Sequence, residues 1–120
     1  DESQLPKLTM NGGEVYKFAL GALSELVQVI MERNSLTNDD IKYIVPHQAN
    51  FRIIEAVSKK LEIDINKFYM NIENYGNTSS ASIPIALAEM NSLGLLQKGD
   101  KIIIAGFGAG LTWGSILIEW

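Results

Sequence analysis

The sequence predicts an α/β fold: a mixed, mostly parallel sheet whose last strand runs antiparallel, with helices packed on it. Three observations carry this. Stretches with apolar residues at helical spacing alternate with short runs rich in Ile, Val and Tyr, the order that builds parallel strands joined by crossovers. The run Ile102-Ile103-Ile104-Ala105 is apolar without alternation, as in strands buried on both faces. The last two apolar runs are separated by the short, glycine-rich Gly106-Phe107-Gly108-Ala109-Gly110, so the final strand is expected to return antiparallel.

Residues 5–10 read as a short strand. Residues 14–33 read as a helix: Val15, Phe18, Ala19, Ala22, Leu23, Leu26, Val27 and Ile30 share one face, with Lys17, Ser24, Glu25, Gln28 and Glu32 opposite. Gly12-Gly13 precedes it and Asn34 can end it. Thr37 can cap a turn through Asp40. Residues 42–45 read as the next strand, stopped near Pro46 because proline has no N–H for the ladder. Residues 50–61 form a helix that buries Ile53, Ile54, Val57 and Leu61, and residues 68–72 read as a strand. Residues 79–93 form a helix that is apolar nearly all round, with Pro84 tolerated near its start. Lys98-Gly99-Asp100 turns the chain into a strand over residues 101–106, and residues 111–119 make the last strand.

At 120 residues the chain has the length of a single domain, and its 47% hydrophobic content excludes a disordered polymer. A net charge of −4 argues against a general nucleic-acid binder. The sequence holds no apolar run of the ~20 residues that span a bilayer, and Asp1-Glu2-Ser3-Gln4 is no signal-peptide start. With zero cysteines a disulfide scaffold and sulfur-rich zinc sites are excluded, and a cytoplasmic location fits best. The opening at Asp1 rather than methionine is expected of a processed chain or of a piece of a longer one.

Loops at the carboxyl ends of parallel strands share one edge of the sheet. That rule brings together His47-Gln48-Ala49-Asn50, the segment from Asn74 to Ser79, and the glycine-rich turn. Taken singly, each has an ordinary explanation. A lone histidine is commonly structural, Gly76-Asn77 is a common turn, and Trp113 suits a core or an interface. Taken together they suit one chemistry. An imidazole N–H and an amide N–H can both donate to one thioester carbonyl oxygen and stabilise an enolate there, and a glycine-rich turn can offer a backbone N–H to a second oxyanion. Thr78, Ser79 and Ser80 are hydroxyl candidates for a nucleophile, but the sequence places no base beside them.

The motifs VPHQAN, YGNTSSAS and GFGAGLTWG, in that order and spacing, resemble the C-terminal half of the β-ketoacyl-acyl carrier protein synthase III family, and the likeness covers residues 9–120. The resemblance implies a thiolase-like fold, two similar α/β halves related by a pseudo-twofold, of which this chain would be the second. It implies the first step of bacterial type II fatty-acid synthesis, a decarboxylating condensation of acyl-CoA with malonyl-acyl carrier protein. In that pattern His47 and Asn77 hold the malonyl thioester carbonyl. Ala109, where the family often has glycine, gives a backbone N–H to an oxyanion hole, and Asn50 lines the pantetheine tunnel. The acyl-bearing Cys belongs to the N-terminal half and has no counterpart here. Tyr75 stands where many members have histidine. The resemblance implies no cofactor and no metal.

Helix 50–61 adds a cationic stripe. At 100° per residue Arg52 and Lys59 point nearly the same way with Lys60 beside them, although Glu55 and Glu62 make an ordinary solvated face an alternative. The resemblance makes this stripe a docking face for acidic acyl carrier protein. The expected partners are thus acyl carrier protein, malonyl and acyl-CoA thioesters and the N-terminal half. The isolated chain is expected to be inactive and to self-associate as a homodimer through helix 79–93. Two other readings compete: a secondary-metabolite synthase on the same fold, separable by substrate profile, and a non-catalytic module that binds acyl carrier protein.

Overall fold

The computed structural model describes residues 6, 7 and 9–120. Helix α1 spans Gly12–Arg33, strand β1 Tyr43–Pro46, helix α2 Phe51–Leu61, the single turn α3 Ile72–Tyr75, helix α4 Ser82–Ser92, strand β2 Lys101–Gly108 and strand β3 Thr112–Glu119. The sheet has the order β1-β2-β3, with β1 parallel to β2 and β3 antiparallel to it.

The register explains the layers. Ile44 and Ile103 are partners and face one side, where Ala19, Leu23 and Val27 of α1 and Ile53, Ile54 and Val57 of α2 complete a core. Val45 and Ile102 face the other side, against Ala86 and Met90 of α4 and Leu96. The Ile-Ile-Ile-Ala run is buried on both faces as expected: Ile102, Ile103 and Ala105 are fully enclosed, and Ile104 is half-buried. Burying one such aliphatic side chain contributes about 1.5–3 kcal/mol, so this strand anchors both cores.

Several boundaries differ from the sequence expectation, each for a local reason. Helix α1 begins at Gly12 because Asn11 caps it, its Oδ1 accepting the Glu14 N–H at 3.2 Å. Gly12 and Gly13 therefore lie in the first turn and do not precede the helix. Ser24, expected on the solvent face, is buried and donates to the Leu20 carbonyl at 2.7 Å, which satisfies its hydroxyl. Thr37 does cap a 3-10 turn over Asn38–Asp40, and the reciprocal bonds to Thr37 hold the Asp40 carboxyl below its ordinary range. Strand β2 runs two residues further than expected because Phe107 and Gly108 pair with Trp113 and Thr112, which shortens the turn to residues 109–111.

The strand expected over residues 68–72 is not formed. A 3-10 turn occupies Ile65–Lys67, Phe68 makes an isolated parallel bridge to Ile44, and Ile72 already begins α3. A side chain takes the partner's place. Buried Gln48 donates from Nε2 to the Pro46 carbonyl at 2.9 Å and the Tyr69 carbonyl at 3.1 Å, and its Oε1 accepts the Asn71 N–H at 3.0 Å. The strand expected over residues 5–10 rests on Leu5 and Leu8, which lie outside the described residues; Pro6, Lys7, Thr9 and Met10 form no regular element.

Candidate active site

Strand β1 ends at a proline, and that ending places the histidine. Pro46 cannot donate, so the contact to β2 resumes at His47, whose N–H reaches the Ala105 carbonyl at 2.8 Å. The imidazole is then fixed from two sides. Its Nδ1 lies 2.6 Å from Oγ of Ser82, the first residue of α4. The Phe107 ring meets it edge-on, with centroids 5.4 Å apart and planes at 75°. Half-buried in this way, His47 titrates below the ordinary imidazole value of 6.5, because burial disfavours the charged ring. It is therefore neutral at pH 7.

Asn77 arrives from the other direction. Helix α3 ends at Gly76, whose φ of 68° and ψ of −161° lie in a region that is essentially restricted to glycine. The chain turns there into Asn77, whose Oδ1 accepts the Ser79 N–H at 3.0 Å. With its oxygen engaged, the amide NH2 remains to donate elsewhere. Ser79 itself has a positive φ of 54° and opens the 3-10 turn that leads into α4.

His47, Asn77 and Ala109 line one cavity of about 380 Å³, with Ser79, Ser82, Ile83 and the ends of β2 at Gly106–Gly108 completing its wall. The three converging loops expected from the sheet topology thus meet. Not every candidate joins them. Asn50 is exposed and caps α2, its Oδ1 accepting the Arg52 N–H at 2.9 Å, so it does not line this cavity. Arg52, Lys59 and Lys60 are exposed on α2, and Lys59 pairs with Glu55 at 3.3 Å, which occupies one of the three cations locally.

Ser82 and Phe107, which meet the imidazole through a hydrogen bond and an edge-on ring contact, have no role in the site in the sequence reading. Ser82 is buried against His47 within this chain. A signal for it existed: Ser82 shares the i, i+4, i+8 stripe with Ala86 and Met90, and a serine on a core stripe needs a polar partner. Because Ser82 is 2% exposed, its closeness to the imidazole does not make it an accessible nucleophile. Among the described residues no cluster of three or more metal-ligating side chains forms, and no helix is long and apolar enough to cross a membrane.

Comparison with known proteins gives one consistent result. The family model described as 3-oxoacyl-[acyl-carrier-protein (ACP)] synthase III C terminal matches residues 31–120. A β-ketoacyl-[acyl-carrier-protein] synthase III of Clostridium novyi (strain NT) is 59% identical over 116 residues, which is 97% of this chain and 36% of that protein. The enzyme of that name from Clostridium acetobutylicum is 54% identical over 95% of this chain and 35% of its own length. Among solved structures, the synthase III of Thermus thermophilus superposes with a TM-score of 0.90 at 43% identity, over 95% of this chain and 36% of that one. The 3-oxoacyl-[acyl-carrier-protein] synthase III of Aquifex aeolicus gives 0.89 at 41%, over 93% and 36%. The chain spans roughly a third of the length of the curated relatives it matches.

Proposed function

The chain belongs to the 3-oxoacyl-[acyl-carrier-protein] synthase III C-terminal family, and from that premise we propose that it supplies the decarboxylation half of a condensing active site. In this reading a malonyl thioester, carried by acyl carrier protein, enters the cavity with its thioester carbonyl oxygen between His47 and Asn77. The bond from the α-carbon to the carboxylate breaks and CO2 leaves. Its electron pair moves into the thioester as an enolate, whose oxygen accepts from the His47 Nε2–H and the Asn77 amide. The enolate carbon then attacks an acyl thioester on a Cys of the N-terminal half. The new carbon–carbon bond forms, the tetrahedral oxyanion collapses and the Cys thiolate departs. The Ala109 N–H serves that second oxyanion.

The observation that carries the reading is a neutral imidazole and an amide NH2 without a hydrogen-bond partner among the described residues on the wall of one cavity. Two neutral donors favour charge that develops on oxygen without binding the ground-state carboxylate as an ion pair. The pantetheine role that the resemblance gives Asn50 has no support in this cavity, since its side chain caps α2 and does not line the wall.

The test uses a full-length synthase that carries this sequence as its C-terminal segment. His47→Ala and Asn77→Ala are each expected to lower malonyl decarboxylation about a hundredfold, the ~3 kcal/mol typical of one lost oxyanion donor, while the Cys is still acylated by acyl-CoA. Near-normal CO2 release from either variant removes that residue from the site. The isolated chain, which has no cysteine, is expected to form no acyl adduct with acetyl-CoA by mass spectrometry; an adduct mapped to Ser79 or Ser80 would identify a different nucleophile.

A further inference from the structure

We propose that Ser82 is a positioning residue that fixes the tautomer of His47, accepting from the Gln48 backbone and donating to the imidazole so that the ring proton sits on Nε2. The inference rests on the decarboxylation reading above, and it follows from a count of donors and acceptors. A serine hydroxyl has one proton and two lone pairs; a neutral imidazole has one N–H and one acceptor nitrogen. The Gln48 N–H lies 3.3 Å from Ser82 Oγ and can only donate to it. Among the described residues the other hydrogen-bond partner of that oxygen is His47 Nδ1 at 2.6 Å. One lone pair takes the Gln48 N–H; if the second took an Nδ1–H, the buried hydroxyl proton would be left without an acceptor among the described residues, so that proton turns toward Nδ1, which then acts as acceptor. The imidazole proton consequently lies on Nε2, on the far side of the ring from α4.

The fold makes this arrangement hard to rearrange. Ser82 and Gln48 are both nearly fully enclosed, so water does not compete for the hydroxyl. Gln48 is itself pinned to Pro46, Tyr69 and Asn71, so its backbone N–H cannot swing away. Burial also lowers the basicity of His47, which keeps the ring neutral so that one of its nitrogens is an acceptor. Ser82 thus links α4 to the end of β1 and gives the imidazole a donor for the enolate without the ring carrying charge.

The experiment compares Ser82→Ala, Ser82→Thr and His47→Ala in a full-length synthase that carries this segment. CO2 release from malonyl-acyl carrier protein is measured beside Cys acylation by acyl-CoA, which reports folding. The ring nitrogens of 15N-labelled His47 are read by NMR, assigned by their loss in His47→Ala. The expected result is an Nε2–H ring in the unmodified enzyme. In Ser82→Ala, kcat for decarboxylation should fall about tenfold, the scale of one lost hydrogen bond, with KM and acylation retained. Ser82→Thr, which keeps the hydroxyl, should restore both the rate and the ring signature. An unchanged kcat in Ser82→Ala, or an Nδ1–H ring in the unmodified enzyme, overturns the proposal. If Ser82→Ala loses acylation as well, the ring signature of the unmodified enzyme and the Ser82→Thr rate decide it. Normal decarboxylation by His47→Ala would instead sink the reading of the site, and the tautomer would still be decided by the ring signals.

Discussion

His47 is the single histidine of the chain, so its titration can be followed without overlap in the isolated polypeptide. Its pKa in the folded state lies below 6.5 because burial disfavours the imidazolium, whereas the unfolded chain keeps the ordinary value. Between the two the unfolded state binds more protons, so stability rises with pH in that window. The contribution is fully present above pH 6.5 and is lost as pH falls through the folded value. Urea unfolding at pH 7.5 and pH 5.5 should therefore show a drop at the lower pH that is smaller in His47→Gln. An equal drop in both proteins would mean that it does not come from His47. In the same range the C2 proton of His47 should titrate with a midpoint below 6.5; a midpoint above it would contradict the buried, neutral imidazole.

Elements whose pattern reflects burial alone were legible: the core faces of α1 and α2, the doubly buried β2 and the antiparallel return of β3 all follow from periodicity and turn length. So was the meeting of the loops after β1 and β2, which follows from their parallel pairing; the segment up to Ser79 joins them although the strand expected before it is not formed. Residues 68–72 were not legible because Tyr69 and Met70 have strand composition while the Tyr69 carbonyl and the Asn71 N–H bond to a side chain, and periodicity carries no record of Gln48. That clamp is measurable. Gln48→Leu leaves the Pro46 and Tyr69 carbonyls and the Asn71 N–H without this partner; each unmet buried group costs about 1–3 kcal/mol, so a loss of at least about 2 kcal/mol is expected in urea unfolding. A loss below about 0.5 kcal/mol would show that residues 69–71 are held by other contacts. Helix α2 carries the second element-scale prediction. It joins the site directly through its cap, since Asn50 lies three residues after His47, and it displays Arg52 near that end with Lys59 about 10 Å further on. Charge reversal of Arg52 and Lys59 together in a full-length synthase should slow association with acyl carrier protein, more at low salt than at high, and spare turnover of CoA substrates. The Lys59–Glu55 pair tempers the contribution of Lys59, so Arg52→Glu alone should account for most of the effect. Unchanged association at low ionic strength would make the helix an ordinary solvated surface.

At the scale of the whole molecule the apolar surface is distributed differently from what helix composition suggested. Helix α4 buries Ala86 and Met90 on the sheet and leaves Ile83, Ile85 and Leu87 half-buried, with Pro84 and Ala88 outermost. Leu93 at the C-cap of α4 is exposed, but the exposed large side chains that cluster lie elsewhere: Leu111, Trp113 and Ile116 on and before β3, at 56%, 51% and 60% exposure, with Met10 at 72%. Beside them, Phe18 of α1 meets Trp113 edge-on at 5.6 Å, and a groove between α1 and β3 is lined by Leu26, Ile30, Trp113 and Ile116 together with the polar Glu25 and Arg33. Strand β3 is also the edge of the three-stranded sheet, paired on one side through β2. An edge strand combined with large apolar side chains is a template for another chain, and soluble monomers seldom expose such a patch. For the isolated 120 residues the available cover is a second copy, which gives a twofold contact in which the same face meets itself. Self-association is therefore expected to persist but to centre on β3 rather than on α4. Analytical ultracentrifugation from low to high micromolar concentration should show a monomer–dimer shift that Trp113→Asp or Ile116→Lys abolishes and Leu87→Asp weakens less. The reverse ranking would place the contact on α4. A monomer at every concentration would mean that Trp113, seated on Phe18, shields this face well enough to stand in water alone.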